Sequence, residues 1–480
     1  MNNKLIFEKS SPGRKTGYFP DSGISLAQAQ ELLGKDYVRR DLPLPSLGEL
    51  EVVRHYTNLS RMNFSVDSNF YPLGSCTMKY NPKINEALSS LEGFTNIHPY
   101  QNEDGVQGAL EIIYNLEEML REITGMRRFS FQASSGAQGE FTGMLMIKKY
   151  HETSGNKKTK VIVPDSSHGT NPATASMCGY ETVVVKSTRD GLIDLDELKK
   201  VVDGHTAGIM LTNPNTIGLF EENILEVGRL IHEQGGLLYY DGANFNALLG
   251  VTKTSLMGFD VVHLNLHKTF STPHGCGGPG AGAVGVTEKL VDFLPAPVVE
   301  KKDGTFYLNH KIKNSIGRVR GFYGNFTVLV RAYAYLLRLG REGILRVSQN
   351  AVLNASYIRE KLKDYYELAS TLPCMHEVVF SCEKQAQKGA RVMDIAKRLI
   401  DYGIHPPTIY FPLIVKEALM VEPTETESKA TIDYFIEAML EINKEIDANP
   451  DSVRNAPHST CIKRPDEVKA ARQPDLRYRY

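Results

Sequence analysis

The sequence predicts an α/β protein with a large domain, built on a mostly parallel sheet flanked by helices, and a smaller α+β C-terminal domain. The first observation behind this prediction is a series of apolar, strand-like runs that alternate with helical patterns. These runs lie near residues 160, 182, 208, 237, 261 and 281. The second observation is an apolar stripe with helical spacing over residues 106–123, which places a helix ahead of these runs. Because the alternating helices would cross over between strands, the sheet is expected to be covered on both faces.

A further helical stretch runs from residue 325 to about 366, with Gly340 as its expected break. It is expected to connect the large domain to a small one in which short strands and helices are mixed. The strands are predicted at residues 377–380 and 418–421, and the helices at residues 391–402 and 429–446. This mixture is the third observation, and it predicts the α+β class for the small domain.

The first 100 residues differ from the rest because they hold few regular patterns and many turn-forming residues. An irregular segment of this length is expected to wrap another protein surface. We therefore predict three parts: an N-terminal arm (1–100), a large domain (101–340) and a small C-terminal domain (341–480). A chain of 480 residues is long enough for this division.

Composition is that of a soluble enzyme and argues against several other classes. The formal net charge is −1 with charges of both signs mixed along the chain, so we expect no nucleic-acid binding. The six cysteines are scattered without Cys-x-x-Cys pairs, as expected for reduced thiols in the cytoplasm rather than for disulfides or a metal site. No apolar run approaches the ~20 residues that span a membrane. The N-terminus lacks the apolar core of a signal peptide, so we expect a cytoplasmic protein.

One lysine stands at an unusual place in this pattern. The strand-like run at residues 261–266 ends at His267 and Lys268, and a glycine-rich stretch follows up to Gly285. A lysine at the end of a buried strand is partly desolvated, and glycines let a cofactor approach the backbone closely. These conditions suit a lysine that forms a Schiff base. The alternative is a solvated surface lysine, which is the commoner role of this residue type.

An aspartate follows the preceding strand. The run at residues 237–240 ends in Asp241, Gly242 and Ala243, which puts the carboxylate where open α/β sheets bind ligands. A carboxylate there can keep the ring nitrogen of pyridoxal phosphate (PLP) protonated, so that the ring accepts electrons. Asp241 and Lys268 are 268 − 241 = 27 residues apart, about one crossover unit. Together the two residues indicate PLP as the cofactor.

Residues 131–140 offer a phosphate site. Ser134, Ser135 and Gly136 precede a helical pattern. Small residues at a helix start expose backbone N–H groups at the positive end of the helix dipole, an arrangement that binds phosphate. The alternative is an ordinary helix N-cap, which serine serves equally well. Because the aspartate and the lysine follow in order, we favour phosphate binding.

Two further loops lie between these positions. His168 follows the strand-like run at residues 160–164, and its flat ring would stack on a pyridine ring; the alternative is a hydrogen-bonded loop histidine. Asn213 follows the run at residues 209–211, and its side chain would hydrogen-bond the phenolic oxygen of the cofactor; the alternative is a turn. Sequence patterns alone leave both pairs of interpretations open.

The order of these motifs resembles the PLP-dependent enzymes of the aspartate-aminotransferase fold, also called fold type I. More closely, the chain resembles the P-protein family of the glycine cleavage system, in the form divided between two subunits. The segments that carry this resemblance are residues 71–82, 167–173, 265–269, 316–325 and 405–412. They read YPLGSCTMKYNP, SHGTNPA, NLHKT, IGRVRGFYGN and HPPTIYFP, and they extend over most of the chain.

The resemblance implies a cofactor, an activity and partners. Lys268 would hold PLP, Asp241 its ring nitrogen and His168 its ring face, as the catalytic residues. Further cofactor contacts would come from Ser134, Ser135, Gly136, Asn213, Ala243, His267 and Thr269. The activity would be decarboxylation of glycine, with release of CO2 and transfer of the aminomethyl group to the lipoyl arm of a carrier, the H-protein. A separate subunit 1 would complete the enzyme.

Two alternatives to this function stay open. One is another PLP enzyme of the same fold, either an aminotransferase or a cysteine desulfurase. The nearest cysteine to Lys268, Cys276, lies in a glycine-rich turn and not on a long loop, and no arginine of the small domain stands out for a substrate carboxylate. The other is a non-catalytic half that scaffolds a complex, against which the combined presence of Lys268, Asp241 and His168 argues.

Arg318 and Arg320 lie in a glycine-flanked loop and have two interpretations of their own. A guanidinium group binds a carboxylate with two parallel hydrogen bonds, which suits the carboxylate of glycine. The alternative is that both arginines pair with acids at a subunit contact, and this is the interpretation we favour.

Overall fold

The computed structural model describes residues 4–14, 22–39, 42–275 and 280–477. The chain forms two compact units, Met1–Ser65 and Val66–Tyr480. In the first unit, helix α1 spans Leu26–Leu33 and helix α2 spans Glu49–Ser60. Ser25 caps α1 by accepting a hydrogen bond from the backbone N–H of Gln28, and the Gln28 side chain accepts one from the backbone N–H of Ser25.

The second unit begins with helices α3 (Lys83–Ser89), α4 (Glu92–Thr95) and α5 (Gln107–Thr124). The strands of its large sheet are β1 (Arg128–Ala133), β2 (Lys160–Pro164), β3 (Glu181–Val185), β4 (Thr206–Thr212), β5 (Leu237–Gly242), β6 (Val261–Asn265) and β7 (Gly282–Val286). The helices between these strands are α6 (Gly136–Thr153), α7 (Thr170–Met177), α8 (Leu195–Val201) and α9 (Ile224–Glu233).

The seven strands form one sheet in the order β1-β7-β6-β5-β4-β2-β3. Strands β2 to β6 pair in parallel, whereas β7 pairs antiparallel with both β6 and β1. The predicted mostly parallel sheet is confirmed, and each of the six predicted strand runs is present, as β2 to β7. The sequence analysis did not identify β1, because it assigned residues 131–140 to a phosphate site at a helix start.

Both faces of this sheet are buried, as the crossover helices require. Neighbouring residues of β5 show this directly, since Tyr239 and Tyr240 point to opposite faces and are both fully buried. Tyr240 belongs to the core formed with Leu120 of α5, while Tyr239 belongs to the core formed with Met144 of α6 and Ala175 of α7. The sheet is therefore a rigid base for the loops at its edges.

The rest of the second unit holds a hairpin, a long helix and a smaller sheet. The hairpin is β8 (Val298–Lys302) and β9 (Thr305–Asn309), and the long helix is α10 (Phe326–Leu362). The remaining strands are β10 (Glu367–Leu368), β11 (Val378–Ser381), β12 (Thr408–Ile409) and β13 (Ala418–Val421). The remaining helices are α11 (Glu383–Gln387), α12 (Val392–Asp401), α13 (Lys429–Ala448), α14 (Pro450–Arg454) and α15 (Glu467–Arg472).

The predicted small domain corresponds to an antiparallel sheet with the order β10-β11-β13-β12, packed with helices. Phe380, Leu419 and Phe435 are fully buried in its core. Gly340 breaks α10 as predicted, with a φ of 59° that only glycine adopts without strain. The division at residues 100 and 340 stays a prediction. Over the described ranges, no helix combines the length and the apolar composition needed to cross a membrane.

Candidate functional site

The predicted site residues follow strands whose carboxyl ends lie at one edge of the large sheet. β4, β5 and β6 are neighbouring parallel strands, so their carboxyl ends lie side by side. Asp241 of β5 lies in register with His263 of β6, and Lys268 follows three residues after the end of that strand. β1 runs in the same direction as β6, because both pair antiparallel with β7. The start of α6 therefore lies at the same edge.

Asp241 is 2% exposed and is surrounded by hydrogen-bond donors. Its carboxylate accepts hydrogen bonds from Asn171 Nδ2 at 3.0 Å and from the backbone N–H of Ala243 at 3.0 Å. His263 Nε2 lies 3.3 Å from its Oδ1. Burial raises the pKa of Asp241, but the neighbouring His263, the hydrogen bonds from Asn171 and Ala243 and the charge of Lys268 outweigh it and hold the pKa below its ordinary value. Asp241 is therefore a buried anion at the carboxyl edge.

The tautomer of His263 follows from its other neighbour. Tyr239 Oη lies 2.7 Å from His263 Nδ1, and burial raises the pKa of Tyr239 so that the hydroxyl keeps its proton. We assign Tyr239 as the donor to Nδ1. Burial also lowers the pKa of His263, so the ring is neutral and its one proton lies on Nε2, facing Asp241. His263 thus presents its Nε2–H on the side of Asp241, 3.3 Å from Oδ1.

A second buried acid, Glu140 of α6, is joined to Asp241 through one amide. Asn171 Nδ2 donates to Glu140 Oε2 at 3.0 Å as well as to Asp241 Oδ2 at 3.0 Å. Thr170 Oγ1 donates to Glu140 Oε1 at 2.7 Å. Burial and the nearby charge of Asp241 raise the pKa of Glu140 to about 7. Sequence analysis did not identify Glu140 or His263, although a lone histidine in the apolar run at 261–266 was a usable signal.

Lys268 is partly buried and lies in the turn that follows β6. Its Nζ donates a hydrogen bond to the backbone carbonyl of Ser75 at 2.8 Å. Ser75 belongs to the segment at residues 71–82, which sequence analysis had singled out without a chemical role. Among the described residues, one neutral acceptor therefore holds the lysine that is expected to carry a cofactor.

The start of α6 has features of both a phosphate site and an ordinary helix N-cap. Ser135 is the N-cap, and its Oγ accepts a hydrogen bond from the backbone N–H of Gln138 at 3.1 Å. Ser134 donates through its backbone N–H and its hydroxyl to the Gln138 side chain, both at 2.7 Å. At Gly136 an added Cβ would lie 2.8 Å from Asn265 Nδ2, so a larger residue would require the Asn265 side chain to move. The N-cap is confirmed, and phosphate binding stays a prediction.

Polar atoms at the same edge test whether these residues suit PLP. The side-chain oxygens of Thr212, Asn265, Thr269 and Thr272 are buried and have no hydrogen-bond partner among the described residues. Buried polar atoms are normally paired, so several unpaired ones at one edge of a sheet point to a polar ligand. A buried carboxylate, a lysine and a helix N-terminus are what a pyridine nitrogen, an aldehyde and a phosphate need. The residues present fit the cofactor.

The other predicted contacts have clear surroundings but stay predictions as cofactor ligands. His267 Nδ1 lies 3.4 Å from the backbone nitrogen of Ala281, and burial lowers its pKa to about 3. His267 lies two residues beyond the end of β6 at Asn265, so it belongs to the turn after the strand. Asn213 is fully buried and its Oδ1 accepts the backbone N–H of Glu221 at 2.9 Å. His168 is exposed, and its Nδ1 lies 2.8 Å from Thr170 Oγ1.

Two more buried acids, Glu377 and Glu422, lie on the side of the Ser75 turn away from Lys268. Glu377 Oε2 accepts the backbone N–H of Ser75 at 2.8 Å, and Thr77 Oγ1 donates to Glu422 Oε1 at 2.6 Å. Burial and the neighbouring Glu422 raise the pKa of Glu377 well above its ordinary value. Burial raises the pKa of Glu422 to about 7. Sequence analysis missed both acids, because they reach the site through contacts of about 300 residues in sequence separation.

Comparison with protein families agrees with this geometry. The family described as "Glycine cleavage system P-protein" matches residues 34–305, which is more than half of the chain. The family described as "Glycine dehydrogenase, C-terminal domain" matches residues 347–465. The two matches cover both the large sheet and the small one.

Relatives match the whole chain. "Probable glycine dehydrogenase (decarboxylating) subunit 2" from Caldanaerobacter subterraneus subsp. tengcongensis is 56% identical, over 99% of both chains. The protein of the same name from Bacillus licheniformis is 56% identical, over 100% of both. The one from Listeria monocytogenes is 55% identical, over 99% of this chain and 98% of the relative.

Solved structures show the same fold. A glycine decarboxylase (P-protein) of the glycine cleavage system aligns with a TM-score of 0.73 and 19% identity, over 87% of this chain and 95% of the other. Glutamate decarboxylase from Lactobacillus brevis aligns with a TM-score of 0.67 and 12% identity, over 88% and 98%. The fold-type-I prediction is therefore confirmed, and so is the resemblance drawn from the motifs: the chain belongs to the glycine cleavage system P-protein family.

Proposed function

We propose that this chain is the catalytic half of a two-subunit glycine dehydrogenase (decarboxylating). It would decarboxylate glycine with PLP and transfer the aminomethyl group to the lipoyl arm of the H-protein, with release of CO2. The observation that carries the proposal is the pairing of Asp241, a buried anion, with Lys268 at the ends of neighbouring strands. A non-catalytic scaffold would have no need to keep an anion and a lysine together at this edge.

Each residue of the site has a defined task in this proposal. Lys268 would hold the cofactor covalently, and Asp241 would keep a proton on its ring nitrogen. The N-terminus of α6, with Ser134, Ser135 and Gly136, would bind the phosphate. Thr269, whose buried hydroxyl lacks a partner among the described residues, supports a further contact there. His168 would cover the ring face, and Asn213, Ala243 and His267 complete the proposed contacts.

The network around Asp241 supports the charge that the reaction requires. When bound, PLP supplies an electron-accepting ring that takes up the electron pair released as CO2 leaves. That capacity depends on a proton at the ring nitrogen, which a nearby anion holds in place. Asn171, His263 and the backbone of Ala243 keep Asp241 ionised despite complete burial. Fixed dipoles of this kind cost no reorganisation during the reaction.

The arginines of the 316–325 loop are not assigned to the substrate carboxylate. Arg318 Nη1 donates to Tyr100 Oη at 3.2 Å, and Arg320 Nη1 donates to Asn325 Oδ1 at 2.9 Å. Moreover, the carboxylate must leave as neutral CO2, so an ion pair that binds it tightly would stabilise the substrate more than the transition state. We therefore propose that Arg320 organises this loop and that Arg318 joins it to Tyr100. The pairing of both arginines with acids at a subunit contact stays a prediction.

Two partners follow from the proposed function. Relatives carry the name "subunit 2", which supports a second, different chain as a permanent partner. The lipoylated H-protein would deliver the acceptor disulfide. The sequence prediction of a cytoplasmic location belongs to the same proposal, since glycine and the carrier would meet the enzyme there.

The direct test is an exchange assay. Purified chain, its subunit 1 and lipoylated carrier are mixed with glycine and labelled bicarbonate, and incorporation of label into the glycine carboxyl group is followed. We expect exchange with the wild type and none with Lys268→Ala. Lys253→Ala, which removes a lysine paired at the surface with Glu122, is the control and should retain full exchange. Full exchange with Lys268→Ala would support the scaffold function instead.

A further inference from the structure

The turn at Gly74 and Ser75 connects the cofactor lysine to a buried acid of the small sheet. We propose that Glu377 is a positioning residue for Lys268 and acts on it through the Ser75 peptide. The inference rests on the proposed role of Lys268, but it concerns how the protein holds this amine. It gives a task to the motif at residues 71–82, which the proposed function leaves unused.

Two hydrogen bonds in series form the connection. Lys268 Nζ donates to the carbonyl oxygen of Ser75 at 2.8 Å. The backbone N–H of Ser75 in turn donates to Glu377 Oε2 at 2.8 Å. One residue thus presents its carbonyl to the lysine and its N–H to the acid, so the position of Ser75 depends on both partners.

The backbone of Ser75 has to be held in place. Its φ is 62°, in the left-handed region that a serine occupies at a cost of about 1 kcal/mol or more. A strained residue of this kind persists only where its surroundings fix it. Without an acceptor for its N–H, the turn would relax, and the carbonyl would turn away from Lys268. Glu377 supplies that acceptor.

The neighbours of the turn hold it on both sides. Asn244 Nδ2 donates to Glu377 Oε1 at 3.2 Å and also to the carbonyl of Pro214 at 3.0 Å, which ties the acid to the loops after β4 and β5. Thr408 Oγ1 donates to the carbonyl of Gly74 at 2.7 Å. An added Cβ at Gly74 would collide with Met420, so β13 packs directly against the turn. Glu377 therefore acts from a fixed position.

The surroundings of Glu377 decide the form in which it acts. It is 0% exposed, and the charged or titratable groups that influence it are Glu422 and Lys268, with His376 as its chain neighbour. Burial first and Glu422 second raise its pKa well above the ordinary value, so the group is a neutral carboxylic acid. Glutamine with its side-chain oxygen towards Ser75 keeps the acceptor for that N–H, and the Asn244 amide that it no longer pairs with still donates to the carbonyl of Pro214. Leucine has no acceptor, so glutamine should preserve the position of Ser75 and leucine should not.

The reactivity of Lys268 in the absence of PLP tests this positioning. The full chain with its partner subunit is freed of cofactor and pulsed with formaldehyde and cyanoborohydride, and methylation of Lys268 is measured by peptide mass spectrometry. The hydrogen bond to the Ser75 carbonyl holds Lys268 Nζ against the turn, so its loss should leave the amine more accessible and speed labelling. We expect Glu377→Leu to raise the rate roughly fivefold, on the scale of one hydrogen bond. Glu377→Gln should label like the wild type.

A matched control separates positioning from general loosening of the core. Glu221 is also buried and also accepts a backbone N–H, from Ile193 at 2.8 Å, but it does not touch Ser75. Glu221→Leu should leave the labelling of Lys268 at the wild-type rate. Equal labelling in Glu377→Leu and Glu377→Gln would overturn the proposal, and so would faster labelling in Glu221→Leu.

Hydrogen exchange of the wild type gives a second test that needs no variant. If Glu377 accepts the N–H of Ser75, exchange of that amide should be slowed at least tenfold relative to an open turn. Free exchange at Ser75 would overturn the proposal even if Glu377→Leu failed to fold. Neither readout depends on glycine turnover. If the labelling results hold but the exchange of bicarbonate carbon into glycine fails, the proposed function is wrong and the positioning is right.

Discussion

Two pairs of buried acids lie close to the proposed cofactor, and they differ in charge. Glu140 and Asp241 form the first pair, joined by the side chain of Asn171. Glu377 and Glu422 form the second, on the far side of the Ser75 turn from Lys268. All four side chains are 3% exposed or less. Burial is therefore the same in both pairs and cannot explain why the pKa is lowered at Asp241 and raised at Glu377.

The groups beside each acid explain the difference in pKa. Asp241 accepts hydrogen bonds from Asn171 and from the Ala243 N–H and lies 3.3 Å from His263, and together with the nearby Lys268 these groups hold its pKa below the ordinary value. Glu377 has only the Ser75 N–H and the Asn244 amide, which do not offset burial and the neighbouring Glu422, and its pKa is raised well above the ordinary value. The first pair holds an anion where a pyridine nitrogen would need one. In the second pair, the carboxyl group of Glu377 keeps its proton and lies near Lys268.

The largest expected effect comes from removing the anion of the first pair. Asp241→Asn keeps the shape but removes the charge and one of the two hydrogen bonds that the carboxylate accepts, so kcat for glycine decarboxylation should fall by about a hundredfold or more, the scale of losing one fixed electrostatic contact. The matched control is Asp260→Asn, another buried carboxylate, which accepts the Leu238 N–H at 2.8 Å. It should lower stability but leave kcat per bound cofactor unchanged. Similar losses in both variants would contradict a special role for Asp241.

The next effect concerns the amide that joins the first pair. Asn171→Leu leaves two buried acids without their shared donor, which should reduce the free energy of unfolding by about 1–3 kcal/mol. Urea denaturation of the cofactor-free chain measures this. Asn85→Leu is the control, because Asn85 is equally buried and its side-chain atoms have no hydrogen-bond partner among the described residues. That substitution should be neutral or stabilising, and an equal loss in both would refute the argument.

The pH dependence of stability sharpens the comparison further. The pKa of Glu140 is raised to about 7 by burial and by Asp241, so the folded state binds a proton that the unfolded state has released. Its contribution to stability is complete below the unfolded pKa and is lost as pH rises through about 7. Glu140→Gln should therefore flatten the fall in unfolding free energy between pH 5 and pH 8. An unchanged slope would show that Glu140 is ionised throughout.

The smallest expected effect is at the second pair. Burial raises the pKa of Glu422 to about 7, so at pH 6 it is mostly the neutral acid. Glu422→Gln keeps an acceptor for the Thr77 hydroxyl and should change the free energy of unfolding at pH 6 by less than about 1 kcal/mol. Thermal unfolding at pH 6 measures the change. A large loss at this pH would mean that Glu422 carries a charge that glutamine cannot replace.

The same two pairs show how far the sequence predicts a site. Asp241 and Lys268 were predicted because each follows a buried strand, and in a parallel sheet such positions meet at one edge by construction. The strands, the small domain and the break at Gly340 were predicted for similar local reasons. Ser135 was predicted as part of a helix start, which the structure confirms.

Sequence patterns of this kind do not identify the buried acids that determine the charges at the site. Glu140 lies five residues beyond Ser135 and looks like an ordinary helix acid until α6 packs on the sheet. Glu377 and Glu422 meet the site through Ser75 and Thr77, about 300 residues earlier in the chain. No periodicity encodes a contact of that range, because it depends on how the small sheet packs against the segment at residues 71–82.

The most direct test of the account is to locate the cofactor chemically. The chain is incubated with PLP, with and without its partner subunit, reduced with borohydride, and mapped by peptide mass spectrometry. The account predicts loss of the visible absorption band on reduction and a single pyridoxyl label on Lys268. A label on another lysine, or none even with the partner subunit present, would contradict the claim that this chain carries the catalytic site.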